Sequence, residues 1–244
     1  MHVSKYSASG NDFVIFHTLV KQNRSALARQ LCDRHEGVGA DGMIVLVPHE
    51  RCDFEWEFYN NDGSQPAMCG NGSRACAHYA LANGLAPASM RFMSGAGEIG
   101  AVVEGSMVES ELTPASEVAA PFEAGGARWF FFDTGVPHVV TFDLPFDLAL
   151  AKTMRETYNA NVNFCTYENA LHVRTYERGV EGETQACGTG MVAAFLSVYR
   201  YHDGPACLEV IPTSGERLQV RINGETLFLK GAVKPVFTAQ VQGV

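Results

Sequence analysis

Two segments of the chain repeat one short pattern, and this pair constrains the fold more than any other feature. Each segment contains Cys-Gly-x-Gly, at residues 69–72 and again at residues 187–190. Each is followed by an alanine-rich apolar run that ends near a glycine, Gly84 in the first case and Gly204 in the second. A run that is apolar all round and stops at glycine is typical of a buried helix. The sequence therefore predicts two buried helices, each beginning at a Cys-Gly pair.

Short alternating segments surround both predicted helices and are typical of strands. They lie at residues 54–59, 90–93, 127–132, 171–176, 206–211 and 227–229. Two further helices are expected at residues 24–33 and about 146–156. This order indicates an α/β (α+β) fold with two related lobes. Their boundary is expected near residues 113–116, followed by a Gly/Pro-rich stretch to Gly126.

Charge and hydropathy exclude two classes of partner. The formal net charge is −9, and there is no Lys/Arg-rich run that could bind nucleic acid. No apolar run approaches the roughly 20 residues that span a bilayer, and the N-terminus lacks an apolar signal region. We therefore expect a cytoplasmic protein that acts on a small molecule and binds neither nucleic acid nor membrane.

The seven cysteines, odd in number and scattered in spacing, argue against a disulfide framework. The two in the repeated pattern stand out because a helix N-terminus lowers the pKa of a thiol. Inversion of an α-carbon requires proton removal on one face and proton return on the other. Cys69 and Cys187 can supply one thiolate and one thiol, and the N–H groups at each helix start can bind the substrate carboxylate. The pair predicts an amino-acid racemase or epimerase that needs no pyridoxal phosphate, no other cofactor and no metal.

A cysteine hydrolase is the alternative from a different class of enzyme. It would use Cys69 or Cys187 as the nucleophile and His138 as the base. This interpretation leaves one of the two cysteine motifs without a role.

Two cofactor sites can also be considered from the sequence. Residues 93–100 contain a formal Gly-x-Gly-x-x-Gly, but a strand-like segment follows it where a dinucleotide site requires a helix, so a hairpin is expected. Cys32 with His35, or Cys69 with Cys76, could begin a metal site, yet neither has a second pair at zinc-finger spacing.

Several segments together resemble the bacterial diaminopimelate epimerase family, in a combination that is highly specific. The matching segments are residues 9–13, 37–42, 60–64 with 69–72, and 176–179 with 183–188. The resemblance implies epimerisation of L,L-2,6-diaminoheptanedioate to the meso form, in lysine and peptidoglycan-precursor synthesis. It also implies an isomerase without a cofactor, and a homodimer is one option for its assembly.

The resemblance further implies two pseudo-symmetric lobes, each a curved mixed or antiparallel sheet or barrel around a central helix. The N-terminal lobe would comprise residues 1–114 with a return strand at about 232–244. The C-terminal lobe would comprise residues 115–231.

The resemblance implies a role for each matching residue. Cys69 and Cys187 would be the acid/base pair, and His138 and Glu177 would tune the pKa values of the thiols. Gly70 and Asn71, with Gly188 and Thr189, would hold the reacting carboxylate, and Glu177 would hold the α-ammonium group. Arg178 with Asn11, Asn60 and Asn161 would contact chiefly the non-reacting end of the substrate, where one Arg suits a bidentate carboxylate contact. The full set of substrate-binding residues implied is Asn11, Asn60, Gly70, Asn71, Asn161, Glu177, Arg178, Gly188 and Thr189.

The chain departs from the family pattern at two positions. Residues 136–138 read Val-Pro-His where many members have Asn-Pro-His, and Gly42 stands where some members have Gln. Both differences concern recognition of the distal end of the substrate. The runner-up within the isomerases is a two-cysteine racemase for proline or hydroxyproline, whose family typically has His beside the first Cys-Gly, where this chain has Asn71.

Overall fold

The structure, a computed structural model, describes residues 1–242 and forms two compact units. The first unit combines Met1–Glu111 with the chain from Lys230 onward, and the second comprises Leu112–Leu229. The sequence placed these borders after residues 114 and 231. The last two residues of the expected return segment, 243 and 244, lie outside the described residues.

Four helices and 17 strands are formed by residues 1–242. The helices are α1 (Ser25–Cys32), α2 (Gly70–Ala82), α3 (Leu148–Tyr158) and α4 (Gly188–Tyr201). The strands are β1 (His2–Ala8), β2 (Asn11–His17), β3 (Gly42–Val47), β4 (Phe54–Asn60), β5 (Ser89–Ser94), β6 (Gly97–Glu104), β7 (Met107–Glu111), β8 (Ser116–Ala124), β9 (Ala127–Asp133), β10 (Pro137–Thr141), β11 (Asn161–Tyr167), β12 (Leu171–Glu177), β13 (Gly182–Thr184), β14 (Cys207–Pro212), β15 (Leu218–Asn223), β16 (Thr226–Ala232) and β17 (Lys234–Gln240).

In the first unit, strands enclose α2. β17 and β2 flank β1 in antiparallel pairs, β2 runs parallel to β3, and β3 is antiparallel to β4. β4 pairs in parallel with β5, which begins the antiparallel series β5, β6 and β7. α2 packs against β1, β2, β3, β6 and β7, and its alanines at 75, 77 and 80 are fully buried. This confirms the predicted buried helix and the return of the last strand to the first lobe.

The second unit repeats the arrangement around α4. β8, β9 and β10 are antiparallel neighbours, β10 runs parallel to β11, and β11 is antiparallel to β12. β12 pairs with β13 and with β14, and β14 is antiparallel to β15. α4 packs against β9, β10, β11, β12, β14 and β15, and residues 190–198 are all buried. Each unit is therefore a mixed sheet around one apolar helix, as expected.

The two central helices end in different ways. Gly84 follows α2 in the left-handed region (φ +68°), as the sequence predicted. After α4 the left-handed residue is Asp203 (φ +49°), so the predicted stop at Gly204 is wrong by one position. Gly204 is needed for a different reason, because a Cβ there would lie 2.4 Å from the Cγ1 atom of Val198.

The segment after the predicted boundary is a strand rather than a Gly/Pro-rich linker. β8 is exposed along most of its length, so it lacks the alternating apolar pattern that reveals a half-buried strand. It contains Pro121, which is tolerated where the register with β9 shifts between Ala119 and Phe122.

The remaining predicted elements are confirmed. Each of the six strand segments coincides with a strand, although β14 begins one residue later than expected, and α1 and α3 lie within two residues of the two further helices. The glycine-rich residues 93–100 form a hairpin in which Ser94 pairs with Gly97, so the dinucleotide alternative is wrong.

Candidate active site

Three segments that are far apart in sequence meet at the start of α2. The side-chain amide of Asn71 donates to Asn11 Oδ1 at 2.8 Å, and the amide of Asn11 donates to Asp41 Oδ2 at 3.1 Å. The backbone N–H of Asp12 donates to the same Asp41 oxygen at 3.1 Å. We call Asn11, Asp12, Asp41, Asn71 and Cys69 the Cys69 cluster. Residues from three of the motifs noted in the sequence therefore form one polar cluster.

Ion pairs tie Asp12 to the surrounding fold. Its carboxylate lies 2.8 Å from Lys5 Nζ and accepts two hydrogen bonds of 3.0 Å from the guanidinium of Arg34. Burial acts to raise the pKa of Asp12, but the hydrogen bonds from Arg34 and Lys5 outweigh it and lower this pKa to about 2. Asp12 is therefore ionised at neutral pH, and it accepts the backbone N–H of Asp41 at 2.8 Å.

Arg74 orients the amide of Asn71 from inside the core. It is fully buried, and it donates to Asn71 Oδ1 at 2.6 Å and to Ser9 Oγ at 2.8 Å. A guanidinium only donates, so Oδ1 of Asn71 faces Arg74 and Nδ2 faces Asn11. The orientation of the predicted substrate-binding asparagine is thus set before any substrate arrives.

Cys69 is the N-cap residue of α2 and is partly exposed. Its Sγ accepts the backbone N–H of Gly72 at 3.4 Å. Burial raises the pKa of this thiol, while the N–H groups of Gly72 and Asn71 and the charge of Arg74 act to lower it. Gly70 and Asn71 open the helix, where backbone N–H groups have no intrahelical partner and can bind an anion.

Asn60 and Gly42 lie opposite each other at adjoining ends of β4 and β3. The Asn60 side chain donates to Ser64 Oγ at 2.9 Å, within the turn after β4. A Cβ at Gly42 would lie 2.8 Å from the Phe58 ring and 2.8 Å from the Tyr59 carbonyl oxygen. The fold therefore has no room for a glutamine at Gly42. The side-chain hydrogen bond of Asn60 goes to Ser64 and not to a residue of the Cys69 cluster.

The second cysteine motif lies beside a row of polar side chains. His138 on β10 is paired in register with Asn161 on β11. Its Nε2 atom lies 2.9 Å from Thr189 Oγ1, and that oxygen lies 3.4 Å from Cys187 Sγ. Its Nδ1 atom lies 3.1 Å from the side-chain nitrogen of Asn163. We call Asn163, His138, Thr189 and Cys187 the Cys187 cluster.

The electrostatics at Cys187 favour the neutral thiol when no substrate is bound. The side chain is 8% exposed at the N-cap of α4, where Gly188 and Thr189 are the first helical residues. Burial and the charge of Glu177 raise the pKa of the thiol to about 12, against the hydrogen bonds of Thr189 and of the Gly190 N–H group. Burial also raises the pKa of Glu177.

His138 is fully buried and neutral. Burial, together with the charge of Arg178, lowers its pKa to about 3. A neutral imidazole has one N–H group and one acceptor nitrogen. His138 therefore places no positive charge beside Cys187, and its hydrogen bond runs to Thr189 rather than to the thiol.

Asn161 and Arg178 lie next to the Cys187 cluster. The side-chain nitrogen of Asn161 lies 3.3 Å from both His138 Nε2 and the Pro137 carbonyl oxygen, and its Oδ1 accepts the backbone N–H of Arg178 at 2.8 Å. The guanidinium of Arg178 donates to the carbonyl of Asn159 at 2.8 Å. The predicted residues of the second unit are therefore neighbours in space.

Asn163 of the Cys187 cluster and Arg74, which donates to the Cys69 cluster, were given no role from the sequence, and neither were Asp12 and Asp41. Asn163 stands two residues after Asn161 in a strand, and this spacing places both side chains on one face, the face toward His138. Arg74 stands three residues after Asn71, which places the two on the same side of a helix. These two spacings were the available signals.

The metal and hydrolase alternatives find no support in the geometry. No group of three or more His, Cys, Asp or Glu side chains among residues 1–242 is placed to hold a metal ion. His138 is a poor base for a cysteine nucleophile, because its pKa is about 3 and its Nε2 atom contacts Thr189. Within the same described range, no helix is long and apolar enough to cross a membrane.

Comparison with known sequences gives one consistent result. A family model described as diaminopimelate epimerase matches residues 3–118 and 130–236. The chain is 55% identical over 249 residues to a diaminopimelate epimerase of a Nitratiruptor species, with 100% of both chains covered. It is 51% identical over 244 residues to a diaminopimelate epimerase of Campylobacter jejuni subsp. doylei, with 98% of each chain covered.

Comparison with solved structures confirms the fold class. A probable proline racemase from Agrobacterium radiobacter K84 aligns with a TM-score of 0.75 at 14% identity, covering 98% of this chain and 92% of that chain. A predicted epimerase from Pseudomonas aeruginosa aligns with a TM-score of 0.72 at 14% identity, covering 100% and 99%. Identities this low show the fold alone.

Proposed function

The chain belongs to the diaminopimelate epimerase family, and from this membership we propose that it interconverts L,L- and meso-2,6-diaminoheptanedioate. The reaction would serve lysine and peptidoglycan-precursor synthesis. The observation that carries the proposal is the full-length identity of 55% to a relative of that name. The placement of Cys69 and Cys187 at the N-caps of two buried helices supports it, because two-base epimerisation requires two acid/base groups and thiols can serve as both.

The proposed reaction moves one proton off the α-carbon and another onto it. A thiolate, from either Cys69 or Cys187, takes the α-proton and becomes a thiol. The electron pair stays on the α-carbon and spreads into the adjacent carboxylate. The other thiol then gives its proton to the opposite face and becomes a thiolate, so the protein ends with the same total number of protons.

Stabilisation of the carboxylate is the main requirement of this reaction, because negative charge builds up on its oxygens. The backbone N–H groups of Gly70 and Asn71 and those of Gly188 and Thr189 stand at helix starts and fit that task. Donors fixed in advance at such positions contribute several kcal/mol to transition-state stabilisation, roughly 3–4 kcal/mol for one well-placed donor.

Substrate binding also has to lower the pKa values of both thiols. Burial raises the pKa of each, to about 12 for Cys187. The α-ammonium group of the substrate carries a positive charge that favours a nearby thiolate. Glu177 is the proposed partner of that ammonium group. When the ammonium pairs with Glu177, the negative charge of Glu177 would no longer disfavour the thiolate of Cys187.

The distal end of the substrate carries a second carboxylate and a second ammonium. Arg178 and the three asparagines Asn11, Asn60 and Asn161 are the proposed contacts there. With Val136 in place of the asparagine of many family members, one polar contact to the distal end would be absent or supplied by another residue, and Gly42 offers no side chain where some members have Gln. The cytoplasmic location and a homodimer remain predictions from sequence.

The proposal is tested by incubating the reduced protein with L,L-diaminopimelate and separating the stereoisomers by chiral chromatography. We expect the meso form to accumulate to equilibrium without added cofactor. L-Proline and trans-4-hydroxy-L-proline, assayed in parallel, are expected to keep their configuration. Inversion of a proline substrate with no change in L,L-diaminopimelate would move the assignment to the runner-up racemase.

A further inference from the structure

Four side chains of the second unit form a hydrogen-bonded row that ends at Cys187. The row runs from Asn163 to His138, from His138 to Thr189, and from Thr189 to the thiol, with distances of 3.1, 2.9 and 3.4 Å. Asn163 and His138 are fully buried. The direction of each hydrogen bond follows from the groups at the far end of the row.

The amide of Asn163 can adopt only one orientation. Its side-chain nitrogen lies 3.0 Å from the carbonyl oxygen of Val139, which can only accept a hydrogen bond. Its Oδ1 accepts the hydroxyl of Thr175 at 2.8 Å. The two hydrogens of Asn163 Nδ2 therefore point to Val139 and to His138 Nδ1.

This orientation sets the tautomer of His138. Because Nδ1 accepts from Asn163, the single proton of the neutral ring lies on Nε2, which donates to Thr189 Oγ1. The side-chain nitrogen of Asn161 lies 3.3 Å from the same Nε2 atom and can only donate, because its Oδ1 accepts the N–H of Arg178, so this contact opposes the Nε2–H tautomer. It is longer than the 2.9 Å contact of Nε2 with Thr189 Oγ1, and Asn161 can donate to the Pro137 carbonyl instead. A proton on Nδ1 would point at the Asn163 nitrogen, which cannot accept it.

The hydroxyl of Thr189 then has its own hydrogen left to donate, and Cys187 Sγ lies within reach of it. Its oxygen receives the proton of His138, so its own hydrogen is directed to Cys187 Sγ at 3.4 Å. A thiolate accepts such a hydrogen bond more strongly than a thiol does. The hydrogen bond from Thr189 therefore favours the thiolate of Cys187, whereas the negative charge of Glu177 disfavours it. The positive charge of Arg178 acts on His138, where it adds to burial in favouring the neutral ring.

We propose that Asn163 is a positioning residue for the proposed reaction: it fixes His138 as the Nε2–H tautomer, and through Thr189 it directs one hydrogen bond to the Cys187 thiolate. The inference rests on the proposed function for its catalytic meaning. The close approach of α4 supports the fixed geometry, since a Cβ at Gly190 would lie 2.5 Å from Oδ1 of Asn163.

The first test reads the tautomer directly. Protein labelled with 15N-histidine is examined by NMR at neutral pH, and the signal of His138 among the eight histidines is assigned by its loss in His138→Gln. We expect a protonated Nε2 and an unprotonated Nδ1. A protonated Nδ1 would overturn the proposal. Neither this test nor the next one uses substrate, so failure of the proposed function leaves both valid.

The second test measures how readily Cys187 forms a thiolate. The rate of iodoacetamide alkylation is followed for the Cys187 peptide by mass spectrometry at neutral pH, with the Cys69 peptide as an internal control. Thr189→Val is expected to slow alkylation of Cys187 by roughly tenfold, which corresponds to one pKa unit. Thr189→Ser, which keeps the hydroxyl, is expected to restore the rate. An unchanged rate in Thr189→Val would contradict the proposal.

Asn163→Asp tests the first step of the row. A carboxylate can only accept, so we expect the proton of His138 to move to Nδ1 and the alkylation of Cys187 to slow as in Thr189→Val. Thr175→Val is the matched control. It removes a hydrogen bond to Asn163 but leaves both Asn163 donors in place, so the Nε2–H tautomer and the Cys187 rate are expected to persist. Retention of the Nε2–H tautomer in folded Asn163→Asp would refute the role of Asn163.

Discussion

Asn71 and Asn11 are joined by a 2.8 Å hydrogen bond across 60 positions of sequence. The bond is one link in a row that begins at the buried cation Arg74 and ends at the carboxylate of Asp41. Because one end only donates and the other only accepts, both amides between them have a fixed orientation. The start of α2 is therefore ordered by side chains from three separate motifs.

Replacement of Arg74 by Met is expected to destabilise the protein by roughly 2–5 kcal/mol, because it leaves buried acceptors on Asn71 and Ser9 without this donor. The free energy of unfolding from urea titration measures the effect. Arg91→Met is the matched control. The Arg91 side chain is 53% exposed in its pair with Glu98, and exposed pairs contribute about 0–1 kcal/mol. Equal stability of the two variants would argue against a structural role for Arg74.

Asn71→Asp is expected to lower kcat/KM by about a hundredfold, because it places a negative charge beside the N–H groups that would stabilise the carboxylate, and weakening one such interaction costs about that much. A carboxylate cannot donate to Asn11, and it would repel the substrate carboxylate. Steady-state kinetics with L,L-diaminopimelate provides the measurement. Asn83→Asp serves as control, because Asn83 caps the far end of α2 and donates to the Tyr79 carbonyl. Full activity of Asn71→Asp would remove Asn71 from the proposed site.

Gly190→Ala is expected to cost about 1–3 kcal/mol of stability, as overpacking of a core does. The added Cβ would lie 2.5 Å from Asn163 Oδ1 and 3.1 Å from Thr175 Oγ1. The midpoint of thermal unfolding measures the change. Gly182→Ala, with no atom within 4 Å of its Cβ, is the control and should unfold at the wild-type temperature. A Gly190→Ala protein as stable as this control would show that the contact relaxes freely.

Because His138 is buried and neutral, we expect the free energy of unfolding to decrease as the pH is lowered. Its pKa in the folded chain is about 3, against an ordinary value of 6.5, so between these pH values the unfolded chain binds the extra proton. Stability is therefore complete above pH 6.5 and declines as the pH falls toward 3, by about 1.4 kcal/mol for each pH unit.

The measurement compares urea unfolding of the wild type and His138→Gln across that pH range. The difference between the two proteins isolates His138. Burial lowers the pKa of His78, so His78 also makes stability fall in acid. Burial raises the pKa of Glu177, so Glu177 has the opposite effect on stability. Parallel pH profiles for wild type and variant would contradict a neutral, buried His138.

The sequence was sufficient for much of the fold because its strongest signals are local. Apolar runs after Cys69 and Cys187 specify α2 and α4, and alternation specifies six of the strands around them. Alternation is absent from β3, which is buried at every residue, and from β8, which is exposed along most of its length, so neither strand was predicted. The end of α4 was misplaced because a glycine needed for close packing looks, in sequence, like one needed for a left-handed turn.

The candidate site was only partly predictable. The residues of the cysteine motifs were accessible because they repeat a pattern, whereas Asn163 and Arg74 each contact a partner that is distant in sequence. A buried Asn or Arg in a single sequence looks the same as an exposed one. Only the fold shows that Asn163 donates to His138 and that Arg74 donates to Ser9.

Two-base epimerisation by Cys69 and Cys187 is tested most directly by proton NMR of L,L-diaminopimelate with the reduced protein in D2O. We expect loss of the α-proton signal with the wild type, and severe slowing in both Cys69→Ala and Cys187→Ala. Exchange at the wild-type rate in either variant, or no exchange with the active, reduced wild type, would contradict the two-base mechanism.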